Sequence, residues 1–220
     1  MNQYAVIFDM DGVICHTNPY HAKAFEAFFK KYEIESSEQE FEEHMYGKHN
    51  SYIMSHFFKR PIMGEELLAL EFEKEDMFRQ VYASVIDPIP NYIEFLDALK
   101  NAGLKTAVAT SAPKENMDLI LDGLNIRSKM ESLRSSENVT KHKPDPEVYL
   151  ETAKQLGVLP SECLVFEDSY SGISAAINAN MKVVGVLSSH TKEQLPPCQY
   201  YINDYRDIDV AQVKQLIAGK

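Results

Sequence analysis

The chain has 220 residues, 45% of them apolar, which is enough for a sizeable core and one or two domains. Its 33 Asp and Glu against 22 Lys and Arg give a net charge of -11, and this disfavours nucleic acid as a main partner, since gripping a phosphate backbone needs a basic face. No apolar stretch approaches membrane-spanning length, no leader pattern opens the chain, and Cys15, Cys163 and Cys198 are too few and too scattered for a disulfide framework or a zinc site, so the expectation is a soluble cytoplasmic protein with no membrane partner.

The first element in chain order is Tyr4-Ala5-Val6-Ile7-Phe8, an apolar run that reads as a buried strand, closed by Asp9-Met10-Asp11-Gly12. Carboxylates at the C-terminal tip of a strand lie where open α/β sheets hold ligands. Two so close together repel unless a cation or a shared proton offsets them, and hard oxygen ligands suit Mg²⁺. Asp-Gly is also a common turn dipeptide. A calcium loop of the EF-hand type starting at Asp9 needs Gly at its sixth position and Glu at its twelfth, where Ile14 and Tyr20 stand.

From about Thr17 to Asp87 no strand pattern appears. Phe25, Phe28, Phe29 and Tyr32 fit one helical face; Leu67, Leu70, Phe78, Val81 and Val85 fit a longer one. Asp87-Pro88-Ile89-Pro90 reads as a return linker. Residues 17–87 are therefore expected to form an all-helical cap domain, inserted after the first strand into a core made of residues 1–16 and 88–220. An insert leaving at a strand tip and returning nearby would sit over the carboxylates, excluding water and gating access.

Beyond Pro90, apolar runs alternate with helical patterns. The runs are Thr106–Ala109, Cys163–Phe166 and Val183–Leu187, with weaker strands at Met130–Arg134 and Gln199–Ile202. Continuous apolar strands between helices indicate a parallel sheet covered on both faces, so the fold class is α/β and Rossmann-like. Asp145 before Pro146 resembles an N-cap with proline at the first helical position, and Gly157 a stop.

Three more strand tips or helix starts carry polar groups. Thr110-Ser111 ends a strand; a hydroxyl and fresh backbone N–H groups suit a phosphate oxygen, although such residues also cap helices. Lys143 precedes Pro144-Asp145-Pro146, which constrains its direction, although loop lysines are usually solvated. Glu167-Asp168-Ser169 follows a strand directly and reads either as a polar turn, with Ser169 capping a helix, or as the completion of a cation site with Asp9. In a parallel sheet these tips share one edge, and one site accounts for all of them.

Asp9-x-Asp11-Gly12, Thr110, Lys143 and Glu167-Asp168, in that order, resemble the four motifs of the haloacid dehalogenase superfamily, over essentially the whole chain. Phe8-Asp9-Met10-Asp11-Gly12-Val13-Ile14 and His142-Lys143-Pro144-Asp145-Pro146 look like its phosphatase and β-phosphoglucomutase branch. The resemblance implies that Asp9 is a nucleophile forming an aspartyl-phosphate. It implies that Asp11 protonates the leaving oxygen and then activates water or an acceptor hydroxyl. It implies that Mg²⁺ is held by Asp9, Asp168 and the backbone carbonyl of Asp11, with Glu167 acting through water. It implies, too, that Thr110, the Ser111 backbone and Lys143 bind the phosphoryl oxygens.

The cap should choose the substrate. Lys74 lies on the apolar stripe, four residues after Leu70 and four before Phe78, either snorkelling at its edge or directed into a cleft. His21 shares a face with Phe25. In the resemblance, His21 and Lys74 match a cap pair linked to closure and to Asp11, and Thr17 matches a hinge. Three residues after Gly47 the mutase pattern expects an arginine for a second phosphate; here Asn50 stands, which is uncharged and cannot clamp bidentately. Lys48 or His49 are the available substitutes. The expectation is a Mg²⁺-dependent phosphatase for a small phosphorylated metabolite, a sugar phosphate by preference, in a monomer or weak dimer. The alternatives are a β-phosphoglucomutase-type mutase and, less favoured, a non-catalytic phosphate-binding module.

Overall fold

The computed structural model describes residues 4–45 and 50–219, apart from the side chains of Glu42 and Glu43. In chain order the elements are β1 (Ala5–Phe8), α1 (Asn18–Lys31), α2 (Glu38–Met45), α3 (Asn50–Phe57), α4 (Gly64–Tyr82), α5 (Tyr92–Asn101), β2 (Lys105–Ala109), α6 (Lys114–Gly123), β3 (Ser132–Arg134), α7 (Glu147–Leu156), β4 (Cys163–Glu167), α8 (Tyr170–Asn178), β5 (Lys182–Val186), β6 (Tyr200–Ile202) and α9 (Val210–Ala218). They fall into two compact units, Met1–His16 with Ile86–Lys220, and Thr17–Val85.

The first unit is built on a six-stranded sheet in the order β3-β2-β1-β4-β5-β6, parallel throughout. Register explains what happens at its C-terminal edge. Phe8 lies opposite Val108 on one side and Phe166 on the other, so Asp9, Ala109 and Glu167 end their strands at one level. The Asp9 amide extends that ladder by donating to the Phe166 carbonyl at 3.0 Å.

Alternation sends the two sets of strand side chains to opposite faces. Ala5, Ile7, Ala107, Val165 and Val183 pack with Val148, Tyr149 and Ala153 of α7 and Ile173 and Ala176 of α8. Phe8 faces the other way and meets the rings of Tyr92, Phe95, Phe166 and Tyr205 at centroid distances of 5.2, 6.5, 5.2 and 6.2 Å. Both faces are dry, which is why the strands lack a polar alternation.

The helical unit has its own core: Phe25, Phe28 and Phe29 of α1 with Met54 and Phe57 of α3 and Leu70 of α4. The α4 stripe differs from its sequence pattern. Val81 and Val85 are exposed, and Val85 lies past the end of the helix. Lys74, Glu75 and Tyr82 are buried instead, and the Tyr82 ring packs against Tyr20 of α1 at 5.0 Å, so the face carrying Tyr82 rather than Val81 is the covered one. A second difference concerns α7, whose first helical residue is Glu147, with Pro146 as the cap; Asp145 still accepts from the Glu147 amide at 3.1 Å. Gly157 ends α7 in the left-handed region at φ 66°, and Ser169 caps α8 by accepting from the Gly172 amide at 3.0 Å. Among the described residues no helix is long and apolar enough to cross a membrane.

Phe8, the last residue of β1, is surrounded by four aromatic rings. Phe8→Ala is expected to lower unfolding free energy by about 3–5 kcal/mol, and Phe8→Leu by under about 1.5 kcal/mol, read from urea midpoints. Equal losses would contradict a role in packing.

Candidate active site

The chain turns sharply after β1. Gly12 adopts φ 70°, its amide donates to the Cys15 carbonyl at 2.9 Å, and the amides of Val13 and Ile14 both return to Met10. Asp9 stays buried at the strand tip, while Asp11 is half-buried in the turn.

Lys143 reaches this tip from the loop before α7. Its Nζ lies 2.6 Å from Asp9 Oδ1, 2.7 Å from Glu167 Oε1 and 3.1 Å from the Ala109 carbonyl, and 4.8 Å over the Tyr149 ring. It is 4% exposed, so the solvated-loop reading of this lysine fails. Burial opposes its charge, but Asp9 and Glu167 together hold the ammonium well above its ordinary range.

Asp168 completes the group: Asp9, Glu167 and Asp168 each offer an oxygen within 4.8 Å of the others, all buried. Three acids against one lysine leave an excess of negative charge that a protein interior cannot hold unaided. Burial accordingly pushes Asp9 up to about 7 against the pull of Lys143, with Glu167 and Asp11 adding to the rise. Asp168 is raised well above the carboxylate range by burial first and then by the charges of Glu167 and Asp9. A divalent cation is what such a set of hard oxygens accommodates in place of protons.

The acids are not equivalent. Glu167 Oε1 takes Lys143 and the Tyr149 hydroxyl at 3.1 Å, and Oε2 takes the amide and hydroxyl of Ser169, both at 2.9 Å. Its oxygens are occupied by protein donors, and a Cβ on Gly172 would lie 1.6 Å from Oε1. On Asp9 the Lys143 contact engages Oδ1, and on Asp168 the Ser189 contact engages Oδ2. Thr110 is buried beside them; its Oγ1 accepts from the Ala112 amide at 3.0 Å, closing its own turn rather than capping α6, whose cap is Pro113. Ser111 is exposed in the same turn.

In the helical unit, Lys74 is 2% exposed and does not snorkel. Its Nζ lies 2.6 Å from Glu75 Oε1, 3.1 Å from His21 Nδ1 and 4.5 Å over the Phe25 ring. The lysine must donate to His21, so Nδ1 accepts. The His21 ring stacks on Phe78 at 3.8 Å, and Asn50 Nδ2 donates to Glu75 Oε1 at 3.3 Å. His21, Asn50 and Lys74 thus meet around Glu75, which sequence reasoning missed. Thr17 stands before α1 with its buried Oγ1 lacking a hydrogen-bond partner among the described residues. Gly47, Lys48 and His49 lie outside the described residues.

Also missed were Tyr149 and the Ser188-Ser189-His190 turn after β5. Ser188 Oγ donates to the Gly12 carbonyl and Ser189 Oγ to Asp168 Oδ2, while His190 Nδ1 lies 3.0 Å from the Asp168 carbonyl oxygen. The signal that picked out Thr110-Ser111, hydroxyls closing an apolar run, was equally present here.

The family model of haloacid dehalogenase-like hydrolases matches residues 6–186. The chain is 30% identical to fructose-1-phosphate phosphatase YqaB of Escherichia coli (strain K12), over 82% of this chain and 95% of that one. It is 28% identical to a phosphorylated carbohydrates phosphatase of Thermotoga maritima, over 84% and 86%. Other curated relatives are longer, and the chain spans 18% of the Arabidopsis thaliana protein SUPPRESSOR OF QUENCHING 1, chloroplastic. Among solved structures, a HAD hydrolase of family IA, variant 3, from Entamoeba histolytica superposes with a TM-score of 0.91 at 27% identity, covering 99% of this chain and all of that one.

The raised carboxyl groups have a pH signature. Folded Asp9 holds its proton to about pH 7, whereas the unfolded group releases it near its ordinary 3.8, so between these values the folded state binds more protons. Cation-free stability is therefore expected to fall as pH rises through that window. The melting temperature should be higher at pH 5.5 than at 7.5 without divalent cation, and an added cation should raise it more at pH 7.5. Asp9→Asn should flatten this dependence; an unchanged profile would contradict the assignment.

Proposed function

The chain belongs to the haloacid dehalogenase-like hydrolases and is an enzyme of the phosphatase or phosphomutase kind, and on that premise we propose that it is a Mg²⁺-dependent phosphatase of a small sugar monophosphate. The observation that carries this reading is the buried Lys143 between Asp9 and Glu167, with Asp168 alongside.

Asp9 attacks phosphorus through a carboxylate oxygen, and the bond from phosphorus to the sugar oxygen breaks. The Asp11 carboxyl gives its proton to that leaving oxygen. In the second half Asp11 takes a proton from water, the water oxygen bonds to phosphorus, and the bond to Asp9 breaks, releasing phosphate. Lys143 offsets the charge of the incoming phosphoryl group, and Thr110 and Ser111 donate to its oxygens. Asp9, Asp168 and the Asp11 carbonyl would hold Mg²⁺, with Glu167 acting through water, and the ion would neutralise charge on the phosphoryl group as a Lewis acid.

Water rather than a second sugar phosphate is the preferred acceptor because of the helical unit. Its polar cluster is balanced: Lys74 is paired with Glu75, and the Asn50 amide is turned to the same carboxylate. A second phosphate group needs an uncompensated cation, which this cluster does not offer. We assign His21, Asn50 and Lys74 to recognition of the uncharged sugar portion, and Thr17 to the hinge. The named activities of the bacterial relatives, on fructose-1-phosphate and phosphorylated carbohydrates, support the substrate class.

Asp9→Asn is expected to abolish Mg²⁺-dependent hydrolysis of an aryl phosphate with the fold intact by circular dichroism; retained turnover sinks the nucleophile assignment. Lys143→Met should lower kcat by about 10²–10³, the loss typical of one electrostatic stabiliser. A panel of sugar phosphates, including β-glucose-1-phosphate with trace bisphosphate, should release free phosphate; isomerised product outpacing it would make the enzyme a mutase.

A further inference from the structure

We infer that the Ser188-Ser189-His190 turn is a positioning clamp, which aims the Asp168 carboxylate and the Gly12 turn for cation binding. The inference rests on the cation reading of Asp9 and Asp168. Its basis is a convergence of three strand tips. β1 and β5 are not neighbours; β4 lies between them. The turn after β5 nevertheless reaches across the β4 tip, with Ser189 Oγ on Asp168 Oδ2 and Ser188 Oγ on the Gly12 carbonyl. The two hydroxyl oxygens are 3.3 Å apart, so the contacts form one unit. His190 adds a third anchor, since a carbonyl oxygen only accepts and the proton must sit on Nδ1, 3.0 Å away.

Gly12 is where the segments meet. At its φ of 70° a Cβ would fall 2.0 Å from Asp168 Oδ2 and 2.8 Å from Ser189 Oγ. The backbone of the first turn, the carboxylate and the serine are packed against one another with no space for a side chain.

The physical need is clear. The terminal torsion of an aspartate is broad and roughly two-fold, so an unrestrained carboxylate presents its oxygens in many directions. Holding Oδ2 with a donor leaves Oδ1 as the oxygen directed to an incoming ion. Partners of this kind around metal ligands typically change affinity by about 10–100-fold when removed. Ser189 and His190 are thus positioning residues, acting through Asp168, and Ser188 acts through the turn that carries the Asp11 carbonyl.

The test is Mg²⁺ binding to the full chain by isothermal titration calorimetry, without substrate. Ser189→Ala should weaken binding by about 10-fold, and Ser189→Thr, which keeps the hydroxyl, should stay within about three-fold of the parent. In turnover of an aryl phosphate, the Mg²⁺ activation constant should rise about as much, with KM for the phosphate unchanged. Should Ser189→Ala fail to fold, Ser188→Ala gives the same reading through Gly12, with about three-fold weaker binding expected. Parent-like affinity in the folded alanine variant overturns the clamp, as does equal weakening in the alanine and threonine variants. Asp168→Asn separates the two ideas. If it abolishes binding while Ser189→Ala does not weaken it, only the clamp fails; if the parent binds no Mg²⁺, or Asp168→Asn binds like the parent, the cation reading fails and the clamp with it.

Discussion

One ammonium group, shared between two buried carboxylates, sets the terms for the rest of the molecule. Lys143 Nζ bonds Asp9 and Glu167 at 2.6 and 2.7 Å, almost out of contact with solvent. A buried ion pair survives desolvation only when its remaining hydrogen-bonding positions are satisfied, and removing one partner typically costs about 3–5 kcal/mol. Here the satisfaction is supplied by neighbours of different origin: the Ala109 carbonyl from β2, the Tyr149 hydroxyl from α7 and Ser169 from the start of α8. The lysine is therefore a structural centre as well as the cation proposed to meet a phosphoryl group.

The sheet makes that meeting possible. Residues 9, 110 and 168 are far apart in sequence, and a parallel register, with Phe8 level with Val108 and Phe166, brings their strand ends to one height, where Lys143 reaches them from the loop before α7. The aromatic cluster around Phe8 packs against one face of the sheet and α7 and α8 against the other. Apolar packing, which has no direction of its own, thus fixes the placement of groups whose chemistry depends on direction.

Several features were legible from residue types alone. The continuous apolar runs announced a parallel sheet, and acids or hydroxyls closing those runs marked its C-terminal edge. Asp9, Thr110 and Asp168 were found that way and Lys143 by its place before a helix start, and all four are buried. What escaped notice had a physical reason in each case. Glu75 stands next to Lys74, and adjacent helical positions do not normally face one another, yet long side chains let the two meet at 2.6 Å. Val81 and Val85 satisfied the helical period but lie exposed, because periodicity does not say which of two adjacent positions faces the neighbour, here Tyr82 rather than Val81, nor where the helix ends. Ser188 and Ser189 resembled an ordinary polar turn, and nothing local indicates that the turn reaches past β4 to Gly12.

The sequence by itself determined the alternation of apolar strands and helices, the helical insert, the family and the identity of the acids and the lysine, because these follow from residue type, period and order. Tertiary structure decided how the acids differ. Glu167 is filled by protein donors, Asp168 is held by the β5 turn, and Asp9 pairs with the Lys143 side chain among the described residues. It also decided that Lys74 is neutralised by Glu75. Those distinctions arise from burial and from donors brought in from distant segments, and both the energy of a charge and the direction of a hydrogen bond depend on that three-dimensional surrounding rather than on the residue that carries them.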